Sequence, residues 1–443
     1  MQIDKSDILQ WYVSSFDSFQ EQLNGGTNLP FHKTRKIAIS ELAELGFPAQ
    51  KNEDWKYTNV AQIVGRKFRF LSDNKTLQKA DVKPFLFEEL KETVLVFVNG
   101  HFSEELSTLN IDSQGVVVDN LKNAMEKHLD IVDKYLAKYV PIAGNSFAAL
   151  NTAFTADGAF VYVPRNCKLE EVIHIIYITD AEEVDGMSQP RNLFVVADGA
   201  QAHIIESFHS VSTTTYFNNL VTEVYVGANA HLDHLKLQDE NPSAYHVSNS
   251  QVHQERDSVY TTVNLDLGAK LVRNNLNIRL NGVNGEAHIF GYYMGSGDQH
   301  IDNQTFIDHA VPNCFSNELY KGILDDRARG VFNGKILVRP DAQKTNALQS
   351  NKTLLLTNDA EVDVKPQLEI FADDVKCTHG ATIGQLDDEA LFYLRARGIS
   401  EEMASAMLRH AFVADVLENI KVESIREHMD ERIIARFANK DKK

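Results

Sequence analysis

The segment from 373 to 382 carries the residues best suited to bind a metal ion. Cys377 and His379 stand two positions apart, so in a strand their side chains would lie on one face. A thiolate and an imidazole together suit iron, zinc or copper. Two ligands do not complete a site, so a metal here needs ligands from elsewhere in the chain or from another chain. The alternative is structural, a buried cysteine beside a hydrogen-bonded histidine, because free cysteine is among the most buried residue types.

A second polar cluster occupies 298–302 and is followed by His309 and Cys314. His300 and Asp302 would share a strand face. One interpretation is a metal site. The other, which we favour, is a ladder of hydrogen-bonded polar groups, since buried polar side chains are usually paired. The remaining histidines are scattered through strand-like segments, and we expect them to be structural.

The segment 330–336 is only superficially like a phosphate-binding loop. The spacing between Gly330 and Gly334 is wrong for that motif, and neither serine nor threonine follows Lys335. The chain also lacks the HExxH and GxSxG motifs. We therefore expect no directly bound nucleotide and no catalytic centre of these kinds.

Composition and charge disfavour several classes of partner. The chain has 443 residues, with 44 Lys and Arg against 62 Asp and Glu, which gives a net charge of −18. Nucleic-acid binding normally uses a basic face, and anionic membranes repel an acidic protein. The three cysteines are few and odd in number, which is typical of a reducing compartment. They form no CxxC motif, which disfavours a zinc ribbon and thioredoxin-like chemistry. No signal peptide and no apolar run near the roughly 20 residues of a membrane span is found, so we expect a cytoplasmic protein.

Hydrophobic periodicity divides the chain into three regions. Residues 1–145 are rich in amphipathic helix patterns, among them one over 121–136, with one buried strand predicted over 93–98. Residues 146–384 change to short alternating stretches, and residues 385–443 return to helix. The pattern predicts a mainly β protein whose central β domain lies between two helical ones.

The central region has the features of a solenoid. Its short strands, of which 220–226 is an example, are separated by corners that combine a turn residue with alanine, at 157–159, 198–200, 226–228, 267–269 and 358–360. In a solenoid each rung buries its inward side chains only against its neighbours. Asparagines from Asn274 to Asn303 suit stacked amide ladders. The pattern favours a solenoid, with a β-sandwich or a cupin-like barrel as the alternative.

The C-terminal region places Met403, Met407 and Phe412 on one helical stripe. Such a stripe is most often core. A helical module of this length is small for a core of its own, so we expect it to pack on the solenoid, on a partner, or on both. Methionine-rich surfaces adapt well to partner helices.

Seven segments of the chain have a distinctive sequence: 53–58, 298–300, 321–322, 329–334, 335–351, 354–356 and 391–399. Together they resemble the SufB/SufD family of iron–sulfur cluster assembly proteins. The resemblance extends from Glu53 to Phe412 and is most specific between 298 and 399. Within the family, the run 376–382 is similar to the SufD branch, with Thr378 where serine is commoner.

The resemblance implies a non-enzymatic scaffold with a right-handed parallel β-helix between helical domains. It implies pairing with SufB through the β-helices, and binding of SufC, an ABC-type ATPase that holds the nucleotide, through the C-terminal helices. A transient iron–sulfur cluster would form at the interface with SufB. His379 would then be the likeliest ligand from this chain, with Cys377 a weaker candidate, and the stripe of Met403, Met407 and Phe412 would dock SufC.

Three other functions fit parts of the sequence. A β-helix enzyme acting on polysaccharide is usually exported and lines a groove with paired carboxylates, and neither feature is found. A hexapeptide-repeat acyltransferase would need a strict six-residue period. A homodimeric metal or cluster carrier is disfavoured because one or two ligands in each chain do not easily hold a four-ligand cluster.

Overall fold

The computed structural model describes residues 5–23, 26–71, 77–87, 92–111, 115–181 and 185–440. Short 3-10 helices lie at Gly26–Asn28, Glu53–Trp55 and Lys83–Phe85. The α-helices are α1 (Lys5–Gln22), α2 (Phe31–Leu45), α3 (Ala61–Val64), α4 (Lys79–Val82), α5 (Leu121–Lys127), α6 (Leu129–Tyr135), α7 (Ser146–Phe154), α8 (Asp388–Ala396), α9 (Glu401–Leu417) and α10 (Glu423–Lys440).

The strands form two long sheets. Those that precede the regular repeat are β1 (Arg69–Phe70), β2 (Glu92–Val98), β3 (His101–Phe102), β4 (Val117–Asn120), β5 (Ala159–Val163), β6 (Lys168–Thr179), β7 (Gly186–Ser188) and β8 (Arg191–Val196). The repeat continues with β9 (Gln201–Ser210), β10 (Tyr216–Val226), β11 (His231–Asp239), β12 (Tyr245–Gln254), β13 (Val259–Asp266), β14 (Leu271–Leu280), β15 (Glu286–Gly295), β16 (His300–His309), β17 (Phe315–Leu324), β18 (Arg329–Val338), β19 (Asn346–Leu355), β20 (Glu361–Ile370) and β21 (Lys376–Gly384).

The chain alternates between the two sheets and builds a β-solenoid of about seven turns. In the first sheet β20, β18, β16, β14, β12, β10, β8, β5 and β4 lie side by side, and in the second β21, β19, β17, β15, β13, β11, β9, β6, β2 and β3. Pairing along the repeat is parallel and in register. The mainly β solenoid predicted from the sequence is confirmed.

The interior of the solenoid follows the predicted alternation. In β10, Leu220, Val224 and Val226 lie in the central hydrophobic cluster, as the alternation over 220–226 predicted. The asparagine ladder is also present, since Asn274 Nδ2 donates to Asn303 Oδ1 of the next rung at 3.0 Å. Each rung therefore buries its inward face against its neighbours, which is how a stack of short strands excludes water.

The N-terminal region is joined to the solenoid through strands as well as helices. The predicted strand over 93–98 is present as β2, which lies beside β6 in the second sheet. Helices α1, α2 and α7 pack with the outer face of the first sheet around Phe217 and Tyr245. The single helix predicted over 121–136 is wrong, because the backbone at His128 (φ −129°, ψ 38°) leaves the helical region and separates α5 from α6.

The segment 53–58 crosses the outer face of the first sheet. Arg273 of β14 places its guanidinium 4.3 Å from the centre of the Trp55 ring and pairs with buried Asp302. Thr58 donates its hydroxyl hydrogen to Asp302, so the same oxygen accepts from His300 Nε2 at 2.8 Å. Two segments of the family resemblance, 53–58 and 298–300, thus meet in one buried polar network.

The C-terminal helices cover the outer face of the second sheet. Val413 of α9 and Met429 of α10 are fully buried and share a cluster with Leu235 and Leu237 of β11. Helix α8 has no buried residue. The C-terminal region therefore packs on the solenoid, while its first helix lies exposed.

Candidate functional site

The solenoid ends in a rung that nothing covers in the described part of the chain. Strands β20 and β21 are the outermost strands at this end of the two sheets, and each pairs on one side only. We call residues 361–384, which comprise these two strands and the corner between them, the open rung. Most of β21 is exposed, and β20 is half-buried or exposed throughout. An edge of this kind presents unpaired backbone N–H and C=O groups that can bind another chain.

Cys377 and His379 lie on this last rung. Both belong to β21, and their register partners in β19 are the interior residues Ala347 and Gln349, so the two side chains share a face as predicted. Cys377 is half-buried against the central cluster, and burial raises the pKa of its thiol. His379 is exposed and makes no hydrogen bond with the described residues. The structure therefore offers a free imidazole beside a thiol that stays protonated at neutral pH.

These two side chains do not make a complete metal site on their own. Among the residues that the structure describes, no group of three or more His, Cys, Asp or Glu side chains could hold a metal ion. A metal at this edge would take its remaining ligands from a chain that approaches β21.

The second cluster of the sequence is structural. His300 and Asp302 share the outer face of β16, as predicted, and bind Thr58 and Arg273 as described above. His309 lies inside the solenoid, where its Nε2 is 2.9 Å from Ser316 Oγ and burial lowers its pKa to about 4. The polar ladder, and not the metal site, is the interpretation that these contacts support.

A buried polar column stands behind His379. Glu318, Gln349 and His379 are register partners in β17, β19 and β21, and we call these three residues the interior column. Gln349 Nε2 donates to Glu318 Oε2 at 2.7 Å. Burial raises the pKa of the Glu318 carboxyl to about 7, because an ionised carboxylate is poorly solvated inside the solenoid.

Replacing Glu318 with glutamine is expected to change how stability depends on pH. The pKa of Glu318 is raised in the folded state, so its contribution to stability is complete below the unfolded value and is lost as pH rises toward about 7. Glu318→Gln should match the wild type near pH 4 and exceed its free energy of unfolding by on the order of 3 kcal/mol at pH 8. Urea unfolding at both pH values measures this, with exposed Glu105→Gln as control; equal stabilities at pH 8 would contradict it.

The open rung also carries apolar side chains that the sequence analysis did not single out. Phe371 follows β20 and is 63% exposed, and Ile370 at the end of β20 and Ile383 near the end of β21 are exposed as well. Alternation alone marks Ile370 and Ile383 as interior residues. What exposes them is their place on the final rung, which sequence patterns do not show.

The C-terminal stripe is divided between surface and core. Met403 and Met407 are 58% and 44% exposed on α9. Phe412 instead is half-buried against the solenoid, where Lys321 Nζ lies 4.9 Å from its ring centre and donates to its carbonyl oxygen at 2.6 Å. Phe392 of α8, which the stripe did not include, is 75% exposed. The large apolar side chains exposed on α8 and α9 are therefore Phe392, Tyr393, Met403 and Met407.

Two family models cover most of this chain. The model described as "SUF system FeS cluster assembly, SufBD core domain" matches residues 177–412, and the model of the SufBD protein N-terminal region matches residues 6–175. The chain belongs to the SufBD family. The core-domain model spans β7 to β21 together with α8 and most of α9, so the site at the open rung lies within the SufBD core.

Relatives in the SufBD family match along nearly the whole length. The chain is 33% identical to an iron–sulfur cluster assembly SufBD family protein of Synechocystis sp., over 94% of this chain and 93% of the relative. It is 32% identical to the iron–sulfur cluster assembly protein SufD of Escherichia coli, over 89% and 90%. The chloroplastic protein ABCI7 of Arabidopsis thaliana is 29% identical, over 93% and 87%. The chain is thus a SufD-like protein of the SUF system, and the resemblance to the SufD branch is confirmed.

No helix in the described residues is both long enough and apolar enough to cross a bilayer.

Proposed function

We propose that the chain is a non-enzymatic scaffold subunit of iron–sulfur cluster assembly. In this proposal it pairs with SufB through the open rung of its solenoid and contributes one ligand to a cluster that forms between the two chains. SufC docks on its exposed C-terminal helices. The observation that carries the proposal is the location of His379, an exposed imidazole without a hydrogen-bond partner among the described residues, on the last rung, where β20 and β21 each pair on one side only.

The open rung suits pairing with a second β-solenoid. The edge strands β20 and β21 offer backbone donors and acceptors, which a strand of the partner satisfies by extending each sheet. Phe371, Ile370 and Ile383 supply the apolar contact, which gives association its main driving force. A second copy of this chain could use the same edges, so the homodimer is the competing occupant.

His379 is the better ligand of the two candidates. It is exposed, whereas Cys377 is half-buried and burial raises the pKa of its thiol. Only the thiolate binds metal well, so Cys377 would have to lose its proton in a poorly solvated place. We assign the cluster ligand to His379, with thiolates of SufB completing the set, and regard Cys377 as mainly a packing residue.

The proposed location is the cytoplasm. Cys167, Cys314 and Cys377 are free thiols, and a reducing compartment keeps cysteines in that state. The cluster is transient cargo in this assignment, and the nucleotide belongs to SufC.

Pairing through the open rung is tested by placing charge on it. Phe371→Asp combined with Ile383→Asp is expected to weaken binding to SufB by about 30-fold, because each buried aspartate would need desolvation without a partner. The measurement is anaerobic calorimetry of the full chain with SufB, with Val211→Asp at an exposed site on a turn as control. Wild-type affinity in the double variant would overturn the assignment, and self-association in place of SufB binding would favour the homodimer.

A further inference from the structure

Within the interior column, the hydrogen-bond acceptor Gln349 lies at the register position beside His379. Glu318 and Gln349 are 1% and 3% exposed, and His379 occupies the next register position in β21. Neighbouring strands lie about 4.8 Å apart, so side chains that share a register position and a face are within reach of one another. The column thus leads from the buried interior to the exposed imidazole.

Only one of the two polar atoms of the Gln349 side-chain amide has a hydrogen-bond partner among the described residues. Its Nε2 donates to Glu318 Oε2 at 2.7 Å. Its Oε1 is buried and has no hydrogen-bond partner among the described residues. Native structures leave few buried acceptors without a donor, so this oxygen indicates that a donor approaches it. The ring N–H of His379 is the donor that the register places next to it.

Gly334 has no side chain, and the amide of Gln349 occupies the space that a side chain there would fill. Gly334 lies on β18, across the solenoid interior, and a Cβ atom built there would be 2.4 Å from Gln349 Nε2. Any larger residue at 334 would therefore displace the amide. The glycine that superficially suggested a phosphate-binding loop has a different use, which is to make room for Gln349.

We propose that Gln349, held by Glu318, is a positioning residue for His379. Its Oε1 accepts a hydrogen bond from one ring N–H, which fixes the tautomer and the ring orientation and leaves the other ring nitrogen free for the metal. Rotation of the exposed His379 side chain, which takes picoseconds to nanoseconds, brings the N–H to the oxygen. The inference rests on the proposed function for its role in assembly, but the hydrogen bond itself can be tested without a cluster.

The test uses nitrogen-15 NMR of the full chain labelled in its histidine rings, at pH 7.5. The signal of His379 is assigned by its absence in His379→Ala. We expect one tautomer in the wild type and a mixture of both tautomers in Gln349→Leu, which lacks the acceptor, and in Gly334→Ala, which displaces it. Gly384→Ala is the matched control, because a Cβ there would meet no atom within 4 Å, and it should behave as the wild type does.

The outcomes separate this inference from the proposed function. A tautomer mixture at His379 in the wild type would overturn it even if no variant folds, and so would a single tautomer that persists in Gln349→Leu. In cluster reconstitution with SufB and SufC, Gln349→Leu is expected to lower the yield by about tenfold, with partial rescue in Gln349→Glu. If His379→Ala left that yield unchanged while the tautomer result held, the proposed function would fail and the hydrogen bond from His379 to Gln349 would stand.

Discussion

Replacing His379 with alanine is expected to lower cluster assembly by about 100-fold, since loss of a ligand costs at least as much as loss of its supporting contacts. The fold should not change, because the side chain is exposed and makes no hydrogen bond with the described residues. Surface substitutions of this kind usually alter stability by less than about 0.5 kcal/mol. The measurement is the absorbance of the cluster formed anaerobically from ferrous iron and sulfide on the variant chain mixed with SufB and SufC.

Two matched variants make the result at His379 interpretable. His231→Ala removes an exposed histidine from β11, far along the second sheet from the open rung, and should assemble the cluster normally. Cys377→Ala should have a smaller effect than His379→Ala, because its thiol is held protonated by burial. Normal cluster yield in His379→Ala would refute the ligand assignment, and a parallel loss of SufB binding would indicate an interface role instead.

Charge placed on Met403 and Met407 is expected to weaken SufC binding by about 1000-fold. Both side chains are exposed one helical turn apart on α9, and a central interface residue commonly contributes about 2 kcal/mol or more. Replacing both with glutamate also buries two unpaired carboxylates in any complex that still forms. Calorimetry of SufC with the full chain measures the change.

This double substitution is a sharper test than removal of residues 385–443. The deletion would also take away Val413 and Met429, which are buried against the second sheet, and would expose the solenoid beneath them. Leu129→Glu, at an exposed site in the N-terminal region, is the control for added charge. Phe412→Ala should lower stability more than affinity. If the double variant bound SufC with wild-type affinity, SufC would have to dock on a different surface of the chain.

The solenoid could be predicted from the sequence because its signals are local. Alternation within each strand and small residues at each corner are repeated along the central region, and they specify a rung without reference to distant contacts. Pairing of Cys377 with His379 on one face followed from the same two-residue period. The family resemblance then indicated which of the two candidate polar clusters to propose as a ligand site.

Other parts of the site depend on contacts between distant segments. The stripe that contains Phe412 has one periodicity, and nothing in it shows that the solenoid covers only one end. Phe392 lies in a helix whose apolar residues are adjacent, so its exposure follows from the position of α8 and not from its pattern. The hydrogen bond between Gln349 and Glu318 joins residues 31 positions apart, which only the register of the rungs brings together.

In the proposed function, the open rung determines when the chain can hold iron. In a stack whose rungs are stabilised by their neighbours, the final rung has a neighbour on one side only, so its local opening requires the least free energy. The free chain therefore holds the imidazole of His379, which we propose as a cluster ligand, on the segment that opens most readily. A partner that extends both sheets supplies the missing neighbour and closes that rung. Iron would then be captured only after the subunits have met, which keeps a reactive metal off the solitary chain.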